Sequence, residues 1–203
     1  SSAASDVYKR QKYTTVTTVR AARGDILDRN GNKLVGNRAS YNLVFNHYVI
    51  ESYGQTNEAL YALVHKCRDL NLSYNDHFPV SKTRPFEYTL NDFATSWQNH
   101  FQSFMVDRSL DSDITAPLLI EKLRGRYNIP EGWSDEDARA VIGMRYEFDL
   151  RGISSLPTYT FIEDISDENL SAILELNTPG LMVESSTCLL YTSDAADDLI
   201  GVD

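Results

Sequence analysis

Arg23-Gly24-Asp25-Ile26-Leu27-Asp28-Arg29-Asn30-Gly31-Asn32-Lys33-Leu34, followed by Asn37 and then Tyr41-Asn42-Leu43-Val44-Phe45, is the stretch on which the reading of this chain turns. It predicts two short strands around a tight turn, because Asn30-Gly31 supplies the positive backbone angles that a primed hairpin turn demands. Glycine and asparagine adopt that geometry at least cost. That turn is expected to bring Asp28 or Arg29 close to Arg23, where a bidentate contact between arginine and the Asp28 carboxylate would fix the hairpin against its neighbours. The same local chemistry also suits a generic hairpin with solvated charges, whose surface ion pairs contribute little.

Outward from this stretch, the elements run strand-rich, helix-rich and strand-rich again. The β-branched run Thr14-Thr15-Val16-Thr17-Thr18-Val19 within Tyr13–Arg23 predicts a strand, and the alternation from Ser40 to Tyr48 predicts its partner or neighbour. Thr56 is placed to cap a helix whose Leu60, Leu63, Val64, Cys67 and Leu70 make one apolar stripe. A loop holding Pro79 and Pro85 leads to a second helix from Asn91 to about Leu110, with Phe93, Trp97, Phe101, Phe104 and Met105. Thr115 with Pro117 starts a third helix through Leu118, Leu119, Leu123 and Tyr127. Ser134-Asp135-Glu136-Asp137 starts a fourth, since a capping serine and an acidic first turn complement the helix dipole. Thr158 to Ile165 returns to strand character, and Ser166-Asp167-Glu168 opens a short helix through Leu170, Ile173, Leu174 and Leu176. Pro179-Gly180 ends it and delivers Leu181-Met182-Val183-Glu184 as a closing strand.

The two ends carry a different signal. Ser1–Gln11 reads as the translation of a transposon-end sequencing-adapter word, and Cys188–Asp197 as the opposite strand of the same DNA shifted by one base. Residues 1–11 and 188–203 are therefore expected to be scars of that DNA and are set aside for fold reasoning. Removing Lys9 and Arg10 takes the basic residues from 19 to 17, and removing Asp6, Asp194, Asp197, Asp198 and Asp203 takes the acidic ones from 29 to 24, leaving a formal charge of −7. So acidic a surface argues against a nucleic-acid partner, which needs a basic patch. Cys67 is then the one remaining cysteine, so no disulfide framework or cysteine-based metal site can be drawn. Its place beside Leu63 and Leu70 predicts a buried thiol. No run reaches the roughly 18 apolar residues of a membrane span.

The ordered string Arg23, Gly24, Asp28, Arg29, Gly31 and Leu34, with an alternating strand at the family's distance, resembles the opening signature of class B penicillin-binding proteins. Ile173–Glu184 is similar to the helix, Pro-Gly turn and apolar-x-Val-Glu strand that close the front module of that family. The structural motif residues are thus Arg23, Gly24, Asp28, Arg29, Asn30, Gly31, Pro179, Gly180 and Glu184. The resemblance implies an α+β fold: a small strand-rich pedestal of the dimerisation type over residues 12–53 and 157–187, with a helical head inserted over 54–156. Such a head looks more like the elongation type, penicillin-binding protein 2, than a division type. What the resemblance implies further is an extracytoplasmic, non-catalytic front part of a membrane-anchored D,D-transpeptidase in cell-wall synthesis. Its partners would be its own transpeptidase domain, a polymerising glycosyltransferase and a rod-system scaffold, with contact to the membrane only through an N-terminal anchor outside this sequence.

The family's chemistry is acyl transfer to an activated serine, with a lysine one helical turn later. No serine here has lysine three positions on. Ser81-Lys82-Thr83-Arg84 imitates the lysine-threonine-glycine strand but lacks the glycine, and Pro85 is poor in an inner strand, so a loop is predicted. His47, His65, His77 and His100 show no two-histidine helical spacing. Asp107, Asp111 and Asp113 lack the glycine and terminal glutamate of a calcium loop and are expected to form an interhelical loop and cap. No cofactor or metal is expected. Glu163 and Asp164, as neighbours on a strand, should face opposite ways and so cannot flank one bond. Phe93, Trp97, Phe101 and Phe104 are expected to pack the core of the helical lobe, with a partner groove as the other reading. Two further function classes stay open: a free-standing extracellular binding or adhesion module, and a hydrolase using Glu163 or Asp164.

Overall fold

The computed structural model describes residues 26–27 and 33–191, with side chains described over 39–185. The expected strand at Tyr13–Arg23 and the turn residues Asp28 to Asn32 lie outside the described residues. Strand β2 (Lys33–Phe45) is the axis of the sheet. Along one edge it pairs antiparallel with β4 (Leu181–Tyr191), in an unbroken register from Val35 opposite Tyr191 to Phe45 opposite Leu181. Its other edge is shared by β1 (Ile26–Leu27), opposite Lys33 and Val35, and β3 (Tyr159–Ile165), opposite Tyr41 to Phe45. The front and closing strands are therefore immediate neighbours in one antiparallel sheet. β4 also continues through Cys188 to Tyr191, so the pairing crosses the boundary expected at residue 187. Leu189, Leu190 and Tyr191 have the apolar and aromatic character that strands favour.

Between β2 and β3 the chain makes five helices, in order α1 (His47–Ser52), α2 (Thr56–Asp69), α3 (Thr95–Asp107), α4 (Ala116–Arg126) and α5 (Asp135–Ile153). A sixth, α6 (Asp167–Leu174), carries the chain from β3 across to β4 on the far side of β2. The fold is α+β. Three predicted caps form as expected: Thr115 accepts from the Leu118 amide, Ser134 from Asp137 and Ser166 from Asn169. Each satisfies an amide that the first helical turn cannot pair internally.

Elsewhere the structure corrects the expectations. The strand predicted to reach Tyr48 stops at Phe45, because the Asn46 side chain accepts from the Tyr48 amide and caps α1. Thr56 does not cap α2; its hydroxyl instead donates to the Ile50 carbonyl at 2.9 Å and ties the two helices together. α3 begins at Thr95 rather than Asn91, since Leu90–Asp92 form a separate 3₁₀ turn and Phe93 is extended.

The buried side chains form one continuous cluster from the sheet through the helices. Helix α5 lies at its centre and packs against α2, α3, α4 and β3. Phe45 from β2 meets Phe148 of α5 edge-on at 5.2 Å and stacks on Tyr159 of β3 at 5.8 Å. Tyr146, on the opposite face of α5, meets Phe104 at 4.8 Å and Phe78 at 5.1 Å. Phe101 and Phe104 are core residues, as the aromatic stripe predicted, whereas Trp97 and Phe93 stay partly exposed at its end.

One face of α5 is polar although buried. Arg139, Gly143, Glu147 and Arg151 recur every fourth residue, so they stack along one stripe. Arg139, 2 % exposed, grips Asp76 with Nη1 and Nη2 at 2.8 and 3.2 Å and also donates to the Phe78 and Val80 carbonyls. Glu147, fully buried, accepts from the His77 backbone amide and imidazole, each at 2.6 Å, and pairs with Arg151. These contacts dock the irregular segment 75–80 against the helix. The same segment is stitched to β3: the Asn75 amide donates to Phe161 at 2.8 Å, its side chain to Thr160 at 2.8 Å, and the Tyr159 hydroxyl donates to the Asn75 carbonyl. Buried charges are tolerated here because each finds an opposite charge and its remaining donors find carbonyls.

Gly143 makes room for this. A Cβ there would stand 2.3 Å from Asp76 Oδ2 and 2.6 Å from Arg139 Nη1. Gly143→Ala gains roughly 1 kcal/mol of helix propensity but disrupts a buried pair whose breakage costs about 3–5 kcal/mol. A net loss of about 2–4 kcal/mol is expected in urea unfolding; unchanged or increased stability would contradict this packing.

Candidate functional site

The closing turn is the part of the predicted motif that the structure describes in full. Thr178-Pro179-Gly180-Leu181 form a β-turn in which the Leu181 amide donates to the Thr178 carbonyl at 3.3 Å. Gly180 has φ +77°. Proline at the second position and a positive-φ glycine at the third are what a type II turn requires. The Gly180 carbonyl accepts from the Asn46 amide at 2.7 Å, which fixes the turn onto the first residues after β2. A Cβ on Gly180 would lie 2.5 Å from the Asn46 carbonyl oxygen. The turn thus aims β4 along β2 at the end where the helices begin. Glu184, half-buried, sits opposite Asn42 in that ladder. Arg23, Gly24, Asp28, Arg29, Asn30 and Gly31 lie outside the described residues.

On the other edge of β2 the ladder to β3 is irregular between Tyr41 and Val44. Asp164 has φ +50°, its amide donates to the Asn42 side chain at 2.9 Å, and its carboxylate accepts from the Ser40 hydroxyl at 2.7 Å. Strict alternation fails across this bulge: Phe161 and Ile162 are both buried, and Glu163 and Asp164 both exposed. The expectation that the two acids face opposite ways is corrected, because a bulge interrupts the period of two. Asp164 holds β3 to β2, which is a structural task.

The remaining candidates fall into separate neighbourhoods. Cys67 is buried in the core, and desolvation pushes its thiol up to about 12, far from a reactive thiolate. Ser81 closes a turn on itself, donating to the Thr83 and Pro85 carbonyls and accepting from the Glu87 amide at 3.0 Å. His47 stands 3.7 Å from Glu51, His65 3.3 Å from Asp137, His77 on Glu147 and His100 beside Trp97. Asp107 ends α3 against Arg108, and Asp111 accepts from the Asp113 amide in the following loop; the cap of α4 is Thr115 alone.

Electrostatics are strongest where helices cross. For Asp137 in the first turn of α5, burial would raise the carboxyl, yet the hydrogen bond and charge of Arg68, with His65 adding to them, bring it below the usual carboxylate range. The pKa of the Tyr127 hydroxyl is raised by burial and by Asp149, whose carboxylate accepts its hydrogen bond at 2.6 Å. Tyr159 is raised by complete burial and the nearby Glu147. All of these groups tie elements together. The stripe on α5 was the feature that sequence reasoning missed; its signal is the four-residue recurrence of Arg139, Gly143, Glu147 and Arg151.

A family model described as Penicillin-binding Protein dimerisation domain matches residues 18–202. No curated protein matches the chain. Among solved structures it is similar to penicillin-binding protein 2B from Streptococcus pneumoniae (strain 5204), with 17% identity and a TM-score of 0.32, covering 87% of this chain and 27% of that one.

Gly180 gives the closing turn a direct test. Gly180→Ala forces a side chain into a positive-φ position against a backbone carbonyl and should cost about 1–3 kcal/mol in urea unfolding. Gly152→Ala, in the last turn of α5 where a Cβ meets nothing within 4 Å, is the control and should lose no stability, gaining at most about 1 kcal/mol of helix propensity. Equal effects of the two would show that the turn does not hold the closing strand.

Proposed function

This chain belongs to the penicillin-binding protein dimerisation-domain family, and from that premise we propose that it is the supporting module of a membrane-anchored D,D-transpeptidase in bacterial cell-wall synthesis. It holds the catalytic domain of its parent away from the membrane on the extracytoplasmic side and offers its helices to other morphogenesis proteins, a glycosyltransferase and a rod-system scaffold among them. The observation that carries the reading is the sheet: the strand after the Arg-Gly-Asp stretch and the strand after Pro179-Gly180 pair along their shared length. The chain's entry into the module and its exit toward further sequence therefore rest on one rigid ladder. A firm base of this kind transmits position, which is what a spacer beneath an enzyme has to do.

The chemistry of the described residues agrees with a support role. The buried acids Asp76 and Glu147 are consumed in pairing α5 to segment 75–80, Asp137 in pairing α5 to α2, and Asp164 in bridging β2 and β3. Labelled penicillin is expected to leave this chain unmodified while acylating the parent, whose gene should encode a Ser-x-x-Lys motif after the closing strand. Covalent labelling of this chain, or a parent gene without that motif, would overturn the proposal.

A further inference from the structure

Residues 93–106, which include most of α3, form the longest run of the chain without Asp, Glu, Lys or Arg, in a sequence that is 24% charged. Burial accounts for part of this, since Phe101, Phe104 and Met105 face the core. The side chains that α3 leaves exposed before Asp107 are neutral as well: Thr95, Ser96, Asn99, Gln102, Ser103 and Val106. The exposed faces of the neighbouring helices differ, with Glu58, Arg68 and Asp69 on α2 and Glu121, Lys122 and Arg126 on α4.

Val106, 79% exposed, is the most exposed large hydrophobic side chain among the described residues. With Asn99, Gln102 and Ser103 it borders a shallow groove of about 580 Å³ that Ile153, at the end of α5, also lines. Asp107 stands at the rim of that groove and is paired with Arg108, so its charge is balanced within the chain. Depletion of charge around an exposed apolar residue is the compositional mark of a protein interface rather than of solvated surface.

We propose that this face docks a second copy of the chain, α3 against α3, in a two-fold contact centred on Gln102 and Ser103. Each chain carries a formal charge of −10, so most pairings of two copies set acid against acid, and the outward face of α3 does not. A two-fold contact requires one patch to complement itself. Asn99 and Gln102 meet that demand because a carboxamide both donates and accepts hydrogen bonds, while Val106 and Ile153 supply apolar surface that two copies cover together. A strongly charged partner would find nothing on this face to pair with. At 1.5 Å per residue α3 is only about 20 Å long, short of the roughly 800 Å² per partner that a stable interface covers, so the dimer is weak, with a Kd on the order of 0.1 mM. The family's description names dimerisation and no surface for it; α3 is such a surface, on the inserted helices rather than on the sheet.

The test is sedimentation equilibrium of the whole chain, from about 10 μM to about 1 mM. A monomer–dimer equilibrium is expected. It should tighten as salt rises from about 0.01 M to about 0.15 M, because screening relieves the repulsion between two acidic chains while the contact itself holds no ion pair. Gln102→Glu and Gln102→Lys, which each set like charges across the two-fold, should weaken association about tenfold alone, and their equal mixture should restore it. Val106→Ser should weaken it too. Ser112→Glu adds the same charge as Gln102→Glu at an exposed loop and should leave association unaltered. All three positions are exposed, and matching thermal melts will confirm that each variant folds. A chain that stays monomeric, association that weakens with salt or grows beyond a dimer, equal weakening by Ser112→Glu and Gln102→Glu, or a mixture no tighter than its components would overturn the proposal. A parent gene lacking Ser-x-x-Lys would instead remove the transpeptidase reading while leaving the dimer standing, so the two failures are separable.

Discussion

The rest of the molecule depends on β2 being shared. A strand has two hydrogen-bonding edges, and β2 uses both: one from Val35 to Phe45 for β4, the other in part for β1, at Lys33 and Val35, and for β3, from Tyr41 to Phe45. Pairing satisfies backbone groups that would otherwise carry a desolvation cost when buried, so a strand with partners on both edges is the element that fixes the register of its neighbours. Everything between residues 46 and 158 is in effect an insertion into the β2–β3 connection. The insertion does not float above the sheet, because Phe45, Phe148, Tyr159 and Phe161 pack as one aromatic group at their junction.

Two devices of different chemistry hold the insertion to the sheet. Apolar contact fixes distance without much direction, whereas the Arg139–Asp76 and Glu147–His77–Arg151 pairs fix which residues of segment 75–80 meet which turn of α5. A slip of one residue would leave a buried charge without its partner, a loss of several kcal/mol. The pairs contribute specificity of register as much as net stability. His77 extends the arrangement to α3 by stacking on Trp97 at 3.6 Å, so one small segment contacts the sheet and two helices. A pedestal and head thus describe the chain order better than they describe the packing, where a single core runs through both.

Much of this was legible in the sequence. The helices announced by Thr115, Ser134 and Ser166 start where a capping side chain and an acidic or proline-bearing first turn place them, because capping is a local interaction. Leu60, Leu63, Val64 and Cys67 bury together because a period of 3.6 is also local. What the sequence hid depended on contacts distant along the chain. Asn46 can cap α1 because Gly180, far away in sequence, supplies the carbonyl for its amide. Thr56 looks like a cap until the Ile50 carbonyl is brought beside it. Asp76 and His77 look like ordinary loop residues, and only the fold delivers Arg139 and Glu147 to them. Of the motif residues, Pro179, Gly180 and Glu184 find clear positions in the turn and ladder.

Pairing of the front and closing strands in a defined register is the claim on which the family-level account and the functional proposal both stand. Cysteine cross-linking between Asn42 and Glu184, directly opposite in the ladder, measures it: facing antiparallel positions lie about 4.5–5.5 Å apart, within disulfide reach. The account predicts that Asn42→Cys with Glu184→Cys closes a disulfide readily in the folded chain, and that Asn42→Cys with Thr187→Cys, displaced along the strand, does not. Equal cross-linking of the two pairs, or none of the first, would contradict it.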